Sequence, residues 1–180
     1  CLSRGLGDVY KRQVVVLDPC TNYPIGYAIG EQENSALIKE AVRNAVNHTA
    51  ELFGQRYRAN QIQSDHYAMK AMFPIYAVAG DKVTPARVKN AKSKPVERYF
   101  RSLNEGYCQL CRNWSGFGIT SDKKKQPNAD AQNAYRKEFP DEAGCRMQIE
   151  NIIEAERAAK RADYLKLWAE VPENRRLPLS

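Results

Sequence analysis

Two carboxylates, one where a strand ends and one where a helix begins, have the clearest potential for chemistry in this sequence. Glu97 lies in Lys94-Pro95-Val96-Glu97-Arg98, and Asp65 ends the run Ile62-Gln63-Ser64-Asp65. Carboxylate oxygens bind hard divalent cations such as Mg²⁺. Two such ions about 4 Å apart can activate the attacking oxygen and stabilise the leaving one in phosphoryl transfer. These residue types therefore predict metal-dependent phosphoryl transfer.

The segment around Glu97 has the pattern of an amphipathic helix. Pro95 suits a first helical turn, and Ser93 just before it can act as the N-cap. Glu97 is expected beside the apolar stripe, on one face with Lys94 and Arg101. A surface helix with weak ion pairs gives the same pattern. The stripe consists of Val96, Tyr99, Phe100, Leu103 and Tyr107.

Asp65 is expected at the end of a short strand that leads into a helical segment. An N-cap is the structural alternative, because Ser64 or Asp65 can accept the free N–H groups of the following turn.

Taken together, Ile-Gln-Ser-Asp after a strand and Lys-Pro-Val-Glu-Arg-Tyr-Phe at a helix start resemble the second and third members of the Asp, Asp, Glu triad. This is the triad of DDE transposases and retroviral-type integrases, and the second motif is most similar to bacteriophage Mu-type transposases. The resemblance covers roughly Val14 to Asp130.

The resemblance implies an α/β fold of the RNase H-like type, with a mixed sheet flanked by helices, and a role in DNA nicking and strand transfer. Asp65 and Glu97 would be catalytic and would hold metal, with two Mg²⁺ or Mn²⁺ ions in the complete site. The implied partners are transposon-end and target DNA, bound by a homo-oligomer in the cytoplasm. The DNA-binding residues would be Lys92, Lys94, Arg98, Arg101, Lys123, Lys124 and Lys125.

Residues 1–13 show neither helical nor strand periodicity. Asp8-Val9-Tyr10-Lys11-Arg12-Gln13 is what GAT GTG TAT AAG AGA CAG encodes, and this resembles a transposon end used as a sequencing adapter. We therefore exclude these residues from the fold prediction. A genuine basic N-terminal tail is the alternative.

The remaining sequence divides into three regions: a catalytic core at 14–112, a basic Gly, Lys and Pro-rich loop region at 113–140, and a helical extension at 141–180. In the core we predict a hairpin over 14–30, a helix over 33–53, a strand over 58–64, a helix from Tyr67 that Pro74 bends or breaks, and a strand over 81–88. The order is that of an RNase H-like domain lacking its first strand. Residues 175–180 are expected to lead into a further domain.

The resemblance places the first catalytic Asp on the strand before Val14, so we expect an incomplete site and an inactive, poorly stable chain. Asp18 would end the family's second strand and is expected to be non-catalytic. If residues 1–13 are genuine, Asp18 is the available first carboxylate.

Charge and cysteine content add further constraints. The net charge is +7, and residues 81–125 carry eleven Lys and Arg against four Asp and Glu, so the positive charge is concentrated around Glu97. Such a surface suits a polyphosphate. Cys108-x-x-Cys111 has zinc-site spacing without a second pair, and core packing is the alternative. No apolar run is long enough to cross a membrane.

Two alternative functions follow from these features. One is a non-catalytic nucleic-acid-binding module that keeps the fold, and the other is a zinc-binding interaction domain built on the two cysteines.

Overall fold

The computed structural model describes residues 13–32, 34–64, 69–85, 95–114, 130, 134 and 136–179. Short 3₁₀ turns occur at Cys108–Leu110, Arg136–Glu138 and Glu173–Arg175. The strands are β1 (Gln13–Leu17), β2 (Pro24–Ile29), β3 (Tyr57–Ser64), β4 (Gly80–Pro85) and β5 (Leu177–Pro178), and the helices are α1 (Ser35–Phe53), α2 (Met69–Ala79), α3 (Pro95–Gly106) and α4 (Glu142–Glu170).

The predicted hairpin is confirmed, with β1 and β2 antiparallel. Pro24 stands at the first position of β2, where its missing N–H costs the ladder least. The register shifts at Val16 and Leu17, next to this proline. β1 begins at Gln13, one residue before the predicted hairpin.

Local capping chemistry sets both ends of α1. The side chain of Asn34 accepts a hydrogen bond from the backbone N–H of Leu37 at 2.9 Å. At the other end Gly54 has φ +74, a conformation that glycine adopts without strain. Its N–H donates to the carbonyl of Ala50 at 2.8 Å. The predicted C-terminus is confirmed, and the helix begins at Ser35.

The second sheet has the order β4-β3-β5, with β3 and β4 parallel and β3 and β5 antiparallel. The α/β class is therefore confirmed, and this sheet is mixed. Within the described ranges β1 and β2 form a separate two-stranded sheet. The prediction for residues 175–180, that they lead into a further domain, did not include β5. This strand pairs with the start of β3 at Tyr57 and Arg58.

Pro74 does not break α2, because the helix runs from Met69 to Ala79 with the proline inside it. The N–H that proline lacks would have bonded the carbonyl of Lys70, four residues earlier. Lys70 lies in the first turn and is exposed, so water can satisfy that carbonyl. Of the predicted bend or break, the break is therefore wrong.

The two faces of the β1–β2 hairpin pack on different helices. Val14 and Val16 pack against Ile38, Val42 and other residues of the layer formed by α1 and α2. Residues of the opposite face lie in a second cluster with α3 and α4, composed of Val15, Ile29, Tyr99, Leu103, Cys108, Cys145, Ile149, Ile152 and Ile153. The hairpin is therefore sandwiched between two helical layers.

The predicted C-terminal helix is confirmed as α4, with Asp141 as its N-cap. The side chain of Asp141 accepts from the N–H of Gly144 at 2.8 Å. Rather than projecting away, α4 packs on β2 and forms part of the core. No described helix is both long and apolar enough to cross a membrane.

Candidate functional site

Glu97 lies in the first turn of α3, which begins at Pro95 as predicted. Tyr99 and Leu103 point into the core and are 3% and 1% exposed. Glu97 itself is exposed. A carboxylate in a first turn also stabilises the helix by about 0.3–1 kcal/mol through the helix dipole. Any test of a catalytic role must therefore separate metal binding from helix stability.

The surface next to Glu97 on α3 is basic. Arg98 and Arg101 are both exposed, as a phosphate-binding role requires. The other predicted DNA-binding residues, Lys92, Lys94, Lys123, Lys124 and Lys125, lie outside the described residues.

Helix α3 is held from two sides. Tyr99 packs in the cluster with Val15 of β1, and the Nζ atom of Lys160 on α4 lies 5.1 Å from the centroid of the Tyr99 ring. Near the end of the helix, Nε1 of Trp114 donates to Oδ1 of Asn104 at 2.9 Å. These contacts orient α3 with its Glu97 face outward.

Asp65 follows the last residue of β3 and lies outside the described residues. Ser64, which precedes it, is tied to α2 by a hydrogen bond between its Oγ and the hydroxyl of Tyr76 at 3.1 Å. The end of β3 is therefore fixed against α2. The predicted pairing of Asp65 with Glu97 stays a prediction.

Asp18 has a structural role in the hairpin turn. Its Oδ2 accepts from the backbone N–H of Thr21 at 2.8 Å and from the hydroxyl of the same residue at 2.6 Å. The turn places Asn22 at φ 55, a conformation that Asn tolerates better than most residues. The backbone N–H of Asp18 also donates to the carbonyl of Tyr23 at 2.9 Å. These contacts account for an Asp at this position without catalysis.

The cysteines of the Cys-x-x-Cys motif fill core space. Cys108 is 1% exposed and lies in the cluster between α3 and α4, where Cys145 is also buried. Burial raises the pKa of the Cys108 thiol to about 12 and raises that of Cys111. Metal binding requires the thiolate, which this environment disfavours. Within the described part of the chain, no group of three His, Cys, Asp or Glu residues could hold a metal ion.

Nothing in the residue pattern pointed to Arg157, a buried residue of α4 whose guanidinium donates four hydrogen bonds. Its Nε donates to the carbonyl of Pro24 at 2.9 Å, and its Nη2 donates to that of Ile25 at 2.8 Å. Nη2 also donates to Oδ1 of Asn44 at 3.2 Å, and Nη1 to Oε1 of Glu154 at 2.9 Å. The guanidinium thus joins α4 to β2 and α1.

Comparison with protein-family models, with curated proteins and with solved structures found no match to this chain.

Proposed function

We propose that this chain comes from the catalytic core of a DDE-type DNA transposase or integrase, an RNase H-like domain that nicks DNA and joins its ends to a target. The observation that carries the proposal is an exposed Glu97 in the first turn of α3, with Arg98 and Arg101 exposed on the same helix. A carboxylate among cations suits a site that holds both metal ions and phosphates.

The order of elements supports the same proposal. A hairpin and a helix are followed by two parallel strands, β3 and β4, joined through α2, and then by α3. This is the order that the resemblance implies once the first strand of an RNase H-like domain is left out. Asp65 comes directly after β3 in the sequence, and Glu97 opens the helix that follows β4.

The residues divide the chemistry between them. Glu97 offers the hard oxygen donor that Mg²⁺ and Mn²⁺ prefer, and Asp65 would supply a second. When bound, two such ions supply activation of the attacking oxygen and stabilisation of the leaving oxygen. Arg98 and Arg101 bind phosphate oxygens through charge-assisted hydrogen bonds and so orient the DNA backbone. Water or a DNA 3′-OH is the nucleophile that the proposal requires.

Mn²⁺ binding to the purified chain, measured by calorimetry, tests the proposal. Glu97→Gln and Asp65→Asn are each expected to weaken binding by about tenfold or more, equivalent to about 1.4 kcal/mol. Glu105→Gln controls for the loss of one exposed glutamate from the same helix, and urea unfolding of both variants separates the effect of Glu97 on helix stability from its effect on metal binding. Equal Mn²⁺ affinity in the Glu97→Gln and Glu105→Gln variants would contradict the proposal.

DNA binding separates this function from a non-catalytic binding module. Arg98→Gln and Arg101→Gln are each expected to lower the slope of log affinity against log salt by about one, because each removes one phosphate contact. A binding module without chemistry predicts that DNA affinity does not change with Glu97→Ala or with a chelator.

Cleavage of DNA by the purified protein is the direct test of catalysis. The present chain is expected to be inactive, and Mn²⁺-dependent nicking that Asp65→Ala abolishes would overturn that expectation.

A further inference from the structure

A chain of hydrogen bonds joins Glu51, His48 and Tyr23. Oε2 of Glu51 lies 2.7 Å from Nδ1 of His48, and Nε2 of the same ring lies 2.8 Å from the hydroxyl of Tyr23. Tyr23 is 1% exposed and His48 is 9% exposed, whereas the side chain of Glu51 is 71% exposed. The chain thus runs from the surface into the core.

The hydrogen-bond partners define which nitrogen of the His48 ring carries the proton. A carboxylate only accepts hydrogen bonds, so Nδ1 of His48 must carry the proton that faces Glu51. In a neutral ring Nε2 then has a lone pair that accepts the hydroxyl proton of Tyr23. A second proton on the ring would occupy Nε2 and reverse this hydrogen bond, so the hydroxyl of Tyr23 would have to turn its own hydrogen away from the ring, and a charge would be placed in a buried position.

Tyr23 is also one of the residues through which the hairpin segment contacts α4. Its ring stacks on that of Tyr164, with centroids 4.4 Å apart and planes 8° from parallel. One turn further along α4, Trp168 stacks on Phe53 of α1 with centroids 4.1 Å apart. The hydrogen bond from Arg157 to the carbonyl of Pro24 lies next to Tyr23 in the chain. A change at Tyr23 therefore acts directly on the contact with α4.

We propose that Glu51, His48 and Tyr23 form a proton-operated latch that holds α4 on the core when His48 is neutral and loosens it when His48 is protonated. The charged groups that act on the ring come from two helices. Glu51 on α1 and Glu154 on α4 favour its protonation, and Arg157 on α4 opposes it.

Burial has the largest effect on the pKa of His48. It lowers the pKa of His48 from its usual value, although the hydrogen bond to Glu51 acts in the opposite direction. Glu51 is mostly exposed, so water screens its charge and burial prevails. Burial likewise raises the pKa of Tyr23, which therefore keeps its hydroxyl proton.

The lowered pKa of His48 determines how the stability of the latch changes with pH. Below the unfolded-state pKa of about 6.5, the unfolded chain binds a proton at His48 that the folded chain resists. The contribution of the latch is thus complete above about pH 6.5 and is lost as the pH falls through the lower folded-state pKa. This inference does not depend on the proposed function.

Hydrogen exchange of residues 157–170, corrected for the intrinsic effect of pH on exchange, tests the latch. Between pH 7.5 and pH 5 the exchange of this segment is expected to accelerate by about tenfold, because a protonated His48 favours the state in which α4 has left the core. His48→Gln should abolish the acceleration. His66→Gln is the matched control, because His66 is the other histidine of the chain, and it should behave as the unmodified protein.

A second variant keeps the test decisive if His48→Gln does not fold. Glu51→Gln changes an exposed residue and removes the charge that favours protonation, so the midpoint of the acceleration should move to lower pH. An unchanged midpoint in Glu51→Gln, or an acceleration that survives in a folded His48→Gln, overturns the latch.

Discussion

Replacing Arg157 with Met should weaken the contact between α4 and the hairpin. Methionine keeps much of the apolar stem but none of the donors. The carbonyls of Pro24 and Ile25 would then lose the hydrogen bonds that the guanidinium now donates at 2.9 and 2.8 Å. Arg157 is 8% exposed, so water does not readily replace those donors.

The magnitude follows from these contacts. Each buried acceptor left without a donor costs about 1–3 kcal/mol. The ion pair with Glu154 contributes at most about 1 kcal/mol, because the side chain of Glu154 is 53% exposed. Loss of the guanidinium 5.0 Å from the Tyr27 ring centroid adds about 0.5–1 kcal/mol. We expect the free energy of unfolding to fall by about 3–5 kcal/mol, which is a large part of the total stability of a small domain.

Urea unfolding, followed by circular dichroism at pH 7.5, measures this loss. Arg161→Met is the matched control, because Arg161 lies one turn further along α4 and is exposed, and it should change the free energy of unfolding by less than about 0.5 kcal/mol. A loss below about 1 kcal/mol for Arg157→Met would refute the view that this guanidinium anchors α4.

Two further substitutions test the hairpin. Gly26→Ala should lower the free energy of unfolding by about 3 kcal/mol, because the added Cβ would meet the carbonyl oxygen of Ala41 and the Cβ of Ala45 at 2.5 Å, neither of which can rotate away. If urea unfolding shows that the free energy of unfolding falls by less than about 1 kcal/mol, α1 must shift easily to make room for the added methyl group. Asp18→Ala should cost about 1–2 kcal/mol through the two hydrogen bonds to Thr21, while Asp18→Asn keeps an acceptor and should cost less. Asp18→Asn should also leave Mn²⁺ affinity unchanged, and a tenfold loss would identify Asp18 as a metal ligand.

Much of the fold could be predicted from the sequence, because short-range chemistry determines it. Asn34 and Gly54 delimit α1 through contacts within four residues of themselves. The apolar spacing of Tyr99 and Leu103 sets which face of α3 is buried and leaves Glu97 on the outside. Hydrophobic periodicity and helix capping are local properties, so they can be recognised in the sequence without the tertiary structure.

Other features were decided by the tertiary structure. Pro74 is tolerated within α2 because the carbonyl it leaves without a partner belongs to an exposed first turn. β5 forms because α4 brings the end of the chain back to β3, and a two-residue strand has no periodicity of its own.

Residue patterns alone predicted the order of the elements from β1 to α4, the end of α1 at Phe53 and the outward position of Glu97 among basic residues. Packing determines how these elements are joined. Arg157 reaches the carbonyl of Pro24 across 133 positions of the chain, and Tyr23 meets His48 across 25. Each of these contacts links one side chain to one group that is distant in sequence. Residue spacing and composition therefore do not indicate them, and they form only when the helices pack.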